Sequence, residues 1–261
     1  MKIAVVRKSV ISKICALCLV FLFASAVVFS ADKATFTFAT QRKIPVYKVD
    51  TQERVVSLTF DAAWGADKTL AILDILDQYG IKATFFLVGF WVDNFNDMVK
   101  EIDARGHEIG THSETHPHMP KLSQQQMKDE LYTSSKKITD ITGKKTELFR
   151  PPFGDYDNTL VSVCEQMDII PIQWDVDSLD WKGLSASQIH DRVAKKVTNG
   201  SIVLFHNNSD NIVEALPLVI QTLQLKKFSF APVGKIVYKK DYFVDNNGVQ
   251  HKKETQQGDI L

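Results

Sequence analysis

The sequence predicts a single α/β domain with parallel strands, built either as an open doubly wound sheet or as a (β/α) barrel. Three observations carry that prediction. Short β-branched or aromatic runs alternate with longer amphipathic segments along the chain. Seven strand-type runs are separated by six helix-type segments, the pattern of parallel strands joined by right-handed crossovers. Polar residues able to do chemistry stand just after the strand runs, at what must be one end of the sheet.

The elements follow in order. Lys2, Arg7, Lys8 and Lys13 form a basic start, Ile14 to Phe29 an apolar run of 16 residues, and Ser30 and Ala31 a small-residue exit. Residues 1–31 therefore read as an export signal. The run falls short of the roughly twenty residues that span a bilayer comfortably, so a cleaved signal peptide is expected, with a retained anchor as the alternative. Ala24-Ser25-Ala26 and Val28-Phe29-Ser30 both offer small residues at the cleavage positions. An exported protein is expected, extracellular, in the cell wall or held by that anchor, and touching a membrane only through this segment. Residues 32–52 read as an N-terminal extension, 53–237 as the α/β domain, and 238–261 as a polar, mobile C-terminal tail poor in large aliphatics.

Strand runs are expected at Val55–Phe60, Ala83–Val88, Glu108–Thr111, Glu147–Phe149, Ile169–Trp174, Ser201–Phe205 and Phe228–Val233. Helices are expected at Lys68–Tyr79, Phe95–Arg105, Gln124–Ile141, Asn158–Met167, Ala186–Val197 and Ile212–Leu225. Ser123 with Gln126 and Ser185 with Gln188 match the capping box, in which hydroxyl and amide satisfy each other's unpaired backbone donors.

At 261 residues and 44% hydrophobic content the chain can bury one full-sized core. Its 31 Lys and Arg balance its 31 Asp and Glu, so no overall field draws a polyanion, and no nucleic acid partner is expected. A neutral carbohydrate fits better, and nothing identifies a protein partner. Cys15 and Cys18 lie in the export segment, which leaves Cys164 alone in the mature chain, expected to be a small buried hydrophobe. No G-x-G-x-x-G turn opens the first helix, so a dinucleotide lacks its phosphate cradle.

Asp61 follows the first strand run, His112 and His116 the third, Arg150 the fourth, Asp175, Asp177 and Asp180 the fifth, and His206 the sixth. The H-x-x-x-H spacing of His112 and His116 lets two imidazoles meet one metal ion, with His118 as a competing neighbour. Arg150 can fix a carboxylate by a two-pronged hydrogen bond, or simply stiffen the turn Arg150-Pro151-Pro152-Phe153-Gly154. Asp61 can act as a base or cap the next helix. His206 can act as an acid or sit as a satisfied edge histidine. His107, His190 and His251 read as structural or solvated.

As a set, Thr59-Phe60-Asp61, His112-Ser113-x-x-His116, Arg150-Pro151-Pro152-Phe153-Gly154, Asp177-x-x-Asp180-Trp181 and Leu204-Phe205-His206 resemble the motifs of the polysaccharide deacetylase family (NodB-homology domain, carbohydrate esterase family 4), in that family's order. The stretches Phe60-Asp61-Ala62-Ala63-Trp64-Gly65 and Phe205-His206-Asn207-Asn208-Ser209 are most similar to its sporulation-associated, PdaB-like subgroup. The resemblance implies a distorted seven-stranded (β/α) barrel and hydrolysis of an N-acetyl group from a cell-wall or spore amino sugar. It implies a divalent metal, zinc or else cobalt, manganese or nickel, held by His112 and His116. Asp61 is then the base, Arg150 its positioner, His206 the acid and Asp180 the residue that orients His206. The Phe153 N–H would face the oxyanion, while Trp181 and Leu204 would shape the acetyl pocket. One position departs: the family's third metal ligand is an Asp directly after the base, and here that residue is Ala62. Two imidazoles alone bind a metal more weakly. Asp67 is a candidate replacement, more simply read as a carboxylate near a helix start. Ala62 also opens two alternatives, a glycan-binding or morphogenetic protein without efficient turnover and a hydrolase of another acyl group.

Overall fold

The computed structural model describes residues 8, 10, 13, 15–21 and 42–253. The chain divides into two units, Met1–Gln41 and Arg42–Leu261. In the first, residues 15–21 are helical and exposed. The cleavage positions and residues 22–41 and 254–261 lie outside the described residues. No helix among the described residues is long and apolar enough to cross a membrane.

The second unit is a curled, mostly parallel sheet wrapped by helices. Its strands are β1 (Lys48–Val49), β2 (Val55–Ala62), β3 (Thr84–Leu87), β4 (Glu108–Thr111), β5 (Leu148–Phe149), β6 (Ile170–Pro171), β7 (Val176–Asp177), β8 (Ser201–His206), β9 (Ser229–Phe230), β10 (Tyr242–Val244) and β11 (Val249–Lys252). The main path runs β10-β11-β1-β8-β2-β3-β4-β5-β6, with β7 on β8 and β9 on β2. Its helices are α1 (Thr69–Gln78), α2 (Gly89–Asn94), α3 (Asn96–Ala104), α4 (Gln124–Thr142), α5 (Asn158–Gln166), α6 (Ala186–Lys196), α7 (Ile212–Leu225) and the short α8 (Val233–Ile236). Both expected capping boxes form, at Ser123 with Gln126 and at Ser185 with Gln188. This is the distorted (β/α) barrel, not the open doubly wound sheet.

The strand β2 shows how the sequence makes two faces. All eight of its residues are buried, and successive side chains alternate across the sheet. Val56, Leu58, Phe60 and Ala62 enter the large apolar cluster shared with α1 and α7. Ser57, Thr59 and Asp61 take the other side, where the two hydroxyls donate to the carbonyls of Ala231 and Val203. Phe60 stacks between Phe85 and Phe205, with centroids 5.0 and 5.6 Å away. Such pairs add roughly 0.5–1.5 kcal/mol each beyond their buried area. They also pin the register of β3, β2 and β8, since a one-residue slip would turn every side chain to the wrong face.

Three expectations need correction. The run Ile169–Trp174 is not one strand: β6 pairs with β5, then the chain crosses and β7 pairs with β8. Val46 fills the gap, bridging Ile172, while Lys48 pairs with Ser201 on β8. The run Phe228–Val233 keeps only Ser229–Phe230 as strand, because Pro232 has no N–H for a ladder and precedes α8. The polar tail is not mobile over its first half: β10 and β11 form an antiparallel hairpin, and β11 runs parallel to β1. At its turn Gly248 has φ 81°, and a Cβ there would meet the Tyr47 ring at 2.3 Å. The extension and the tail together therefore close the barrel's open seam.

Candidate active site

The site is assembled at the carboxyl ends of the strands. Arg150, just after β5, is fully buried inside the barrel, its guanidinium 4.2 Å from the Phe86 ring centroid. Its Nη1 donates to Asp61 Oδ1 at 2.8 Å and to Thr59 Oγ1 at 2.7 Å, and its Nη2 donates to the Gln173 carbonyl at 3.0 Å. Burial would push the Asp61 carboxyl up, but Arg150, His112 and His206 together outweigh it and hold the acid below its ordinary range. The expected two-pronged bond to a carboxylate is not formed: the second nitrogen of Arg150 goes to the Gln173 carbonyl. The single-pronged contact to Asp61 leaves Oδ2 on the side of His112, 3.6 Å from its Nε2.

Asp61 and His206 are register partners on the parallel strands β2 and β8, so both project from the same face of the sheet. The His206 Nδ1–H donates to Asp180 Oδ1 at 2.8 Å, and its backbone N–H donates to Asp180 Oδ2, also at 2.8 Å. Asp180 itself is buried, and Ser209 Oγ donates to its carbonyl. Burial lowers the His206 pKa, yet the Asp180 carboxylate more than offsets this and raises it above the ordinary imidazole value. Fixing Nδ1 as the donor leaves Nε2 free.

The His112 ring lies 4.9 Å from that of His116, so the spaced pair does converge. Its Nδ1–H donates to the Arg150 carbonyl at 2.7 Å, which leaves Nε2 with its lone pair. Burial pushes His112 down, and burial with the His112 neighbour brings His116 to about 4. Both shifts run toward the neutral imidazole, the form a metal requires. His116 holds a left-handed φ of 58°, steadied by its N–H bond to Ser113 Oγ. His118 turns away, paired with Asp155 and stacked on Phe153 at 4.3 Å.

The donor set fits a divalent ion only in part. Ala62 is unexposed within the apolar cluster on the face of β2 opposite Asp61. Among the described residues no three His, Cys, Asp or Glu side chains are grouped to hold a metal, so Asp67 does not complete the pair.

Phe153 has φ 60° at the turn after Arg150 and is 56% exposed. Leu204 is buried on β8, and Trp181 is 58% exposed beneath Lys182. Asp175 does not join the site: its carboxylate accepts from Ser201 Oγ and the Ile202 N–H where β8 begins, at the opposite end. Asp177 caps the Leu179 N–H. His107 accepts from the Ala83 N–H, His190 pairs with Asp191 and Thr222, and His251 with Asp50 and Asp245, all outside the site. Cys164 is buried and its thiol pushed up by that burial.

Three further residues support the site without a role legible in the sequence. Thr59 lies inside a motif already singled out, two residues before Asp61 and hence on the same face. Asn207 is fully buried and donates to the Gly65 carbonyl and Thr69 Oγ1. The Trp91 indole N–H donates to the same Gly65 carbonyl at 2.7 Å. Neither Asn207 nor Trp91 stands in a pattern that reveals such a bond.

The chain has relatives in sequence and in fold. The family description "Polysaccharide deacetylase" matches residues 48–171. A peptidoglycan-N-acetylglucosamine deacetylase of Bacillus cereus is 32% identical over 179 residues, covering 67% of this chain and 65% of that protein. The family 4 carbohydrate esterase of Streptomyces lividans, solved with acetate, is 34% identical with a TM-score of 0.64, over 68% of this chain and 91% of that one. BA3943 of Bacillus anthracis, a CE4 family pseudoenzyme, is 30% identical with a TM-score of 0.72, over 81% of this chain and 73% of that one. The chain spans less than two thirds of the length of the Bacillus cereus deacetylase and 41% of a Listeria monocytogenes relative. Fold and relatives point to one family, which holds both peptidoglycan deacetylases and a pseudoenzyme. The chain belongs to the polysaccharide deacetylase family, carbohydrate esterase family 4.

Proposed function

We propose that this chain hydrolyses N-acetyl groups from an N-acetylated cell-wall or spore polysaccharide of the peptidoglycan type. One observation carries the reading: Asp61 and His206 are adjacent register partners, each held by its own buried partner of opposite charge, Arg150 and Asp180. Their environments push the two groups apart in the sense a base and an acid need.

In this reading Asp61 takes a proton from a water as its oxygen bonds to the acetyl carbonyl carbon. The carbonyl oxygen gains the negative charge and faces the Phe153 N–H, at the start of a helical turn whose first donors lack internal partners. His206 then gives a proton to the amine nitrogen as the C–N bond breaks, releasing acetate and a free amine. Leu204 and Trp181 wall the acetyl group. His112 and His116 would hold a divalent ion, zinc or else cobalt, manganese or nickel, which would supply Lewis-acid polarisation of that carbonyl. An exported protein acting outside the cell, in the sporulation-associated branch of the family, fits this substrate.

The second reading, a glycan-binding protein without turnover, is favoured by Ala62. BA3943 is a pseudoenzyme, and a mutant of it has restored enzymatic activity. The experiment is acetate release from chitooligosaccharides and peptidoglycan with zinc, cobalt, manganese or nickel. Release upholds the hydrolytic reading, and glycan binding with no release under any of the four metals upholds the second.

A further inference from the structure

The turn after β2 carries Trp64, 59% exposed, at a position no reaction step above uses. Single exposed apolar residues need no explanation, but this one is the first of a row of rings. Trp64 meets His116 edge-on at 5.1 Å, His116 meets Phe153 at 4.5 Å, and Phe153 stacks on His118 at 4.3 Å. The row leads to the site, since the His116 ring lies 4.9 Å from that of His112, whose Nε2 is 3.6 Å from Asp61 Oδ2.

The turn is also built to stay in place. Gly65 adopts φ 61°, and its carbonyl accepts two hydrogen bonds, from the indole of the buried Trp91 at 2.7 Å and from the buried Asn207 at 2.9 Å. Two buried donors thus converge on the residue next to an exposed indole. The Phe90 ring lies 6.4 Å from the indole, tilted by 51°. A rigid turn that keeps a large apolar face in water is organised for a ligand with an apolar face of its own.

We propose that Trp64 is a sugar-ring platform that stacks against a pyranose neighbouring the residue presented to Asp61. One face of such a ring carries mainly C–H groups, which match the electron-rich face of an indole. The proposal rests on the reading of this site as one that takes a glycan, whether or not the glycan is turned over.

The test uses the full chain, chitotetraose as the probe, and the variants Trp64→Ala and Trp64→Phe, with circular dichroism to verify their folds. Titration calorimetry should show Trp64→Ala weakening chitotetraose binding about tenfold, the size of one aromatic contact. Trp64→Phe keeps a ring face and should stay within about threefold of wild type. In protein carrying 5-fluorotryptophan, the resonance that Trp64→Phe removes should shift on adding the sugar. A wild type that does not bind, a Trp64→Ala that binds equally well, or an unmoved resonance overturns the platform. Acetate release measured alongside keeps the two readings apart. Release with affinity independent of Trp64 sinks the platform alone, while Trp64-dependent binding without release upholds it and sinks the hydrolytic reading.

Discussion

The two halves of the site are built to different standards. On the proton-transfer side, Asp61 and His206 each have a buried partner of opposite charge, and the partners are themselves held by Thr59, Gln173 and Ser209. On the metal side, two imidazoles converge, but the strand position that would add a carboxylate carries Ala62, packed into the core. In the proposed reading, the difference separates the groups that would move protons from those that would hold a metal. One can stay complete while the other lacks a ligand.

The comparison breaks most severely at Arg150. Arg150→Met removes the cation that, alone among the described residues, is hydrogen-bonded to Asp61 and leaves a buried carboxylate uncompensated, which costs roughly 3–5 kcal/mol. Urea unfolding should show that loss, and a change below about 1 kcal/mol would mean the pair is not buried as described.

Ala62→Asp tests the metal side. The family resemblance implies a ligand carboxylate at this position, but here residue 62 faces the apolar layer, so the new carboxylate enters the core. The expected result is a loss of about 1–3 kcal/mol with no tightening of zinc or cobalt binding by calorimetry. A tighter dissociation constant at unchanged stability would show that the end of β2 turns residue 62 toward His112 and His116.

Asp180→Asn gives the smallest and most specific effect. In the wild type His206 is raised above its ordinary 6.5, so its acid form survives to higher pH. The corresponding stability is present below the unfolded value and lost as pH rises through the folded one. Without the Asp180 charge, burial dominates and the value falls. The alkaline limb of the acetate-release profile should therefore move to lower pH. An unmoved limb would separate His206 from the acid role.

Much of this site was legible in the sequence because strand ends in a parallel barrel bring residues together without any need to know their contacts. Asp61, His112, Arg150 and His206 each follow a recognisable run, so their placement at one end followed from topology. Asp175 misled because its run was read as one strand, whereas the chain crosses between β5 and β8 there. The barrel seam was not legible: β1 is two residues long and pairs with residues about two hundred positions away, so no local period marks it. The hairpin did leave a signal, the Asn247-Gly248 turn between Tyr242–Val244 and Val249–Lys252, outweighed by the charged surroundings. The direction of Ala62 needed the structure, since only the continuation of β2 through residue 62 turns it to the core.

The most direct measurement is acetate release by wild type and Asp61→Asn from the same chitooligosaccharide, with divalent metal added and glycan affinity determined for both. The amide keeps the size of Asp61 and can still accept from Arg150, but it cannot take a proton from water. The account predicts wild-type release that falls about a hundredfold to ten-thousandfold in the variant while affinity is retained. Release that Asp61→Asn keeps in full, or a wild type that binds the glycan and releases nothing, would contradict it.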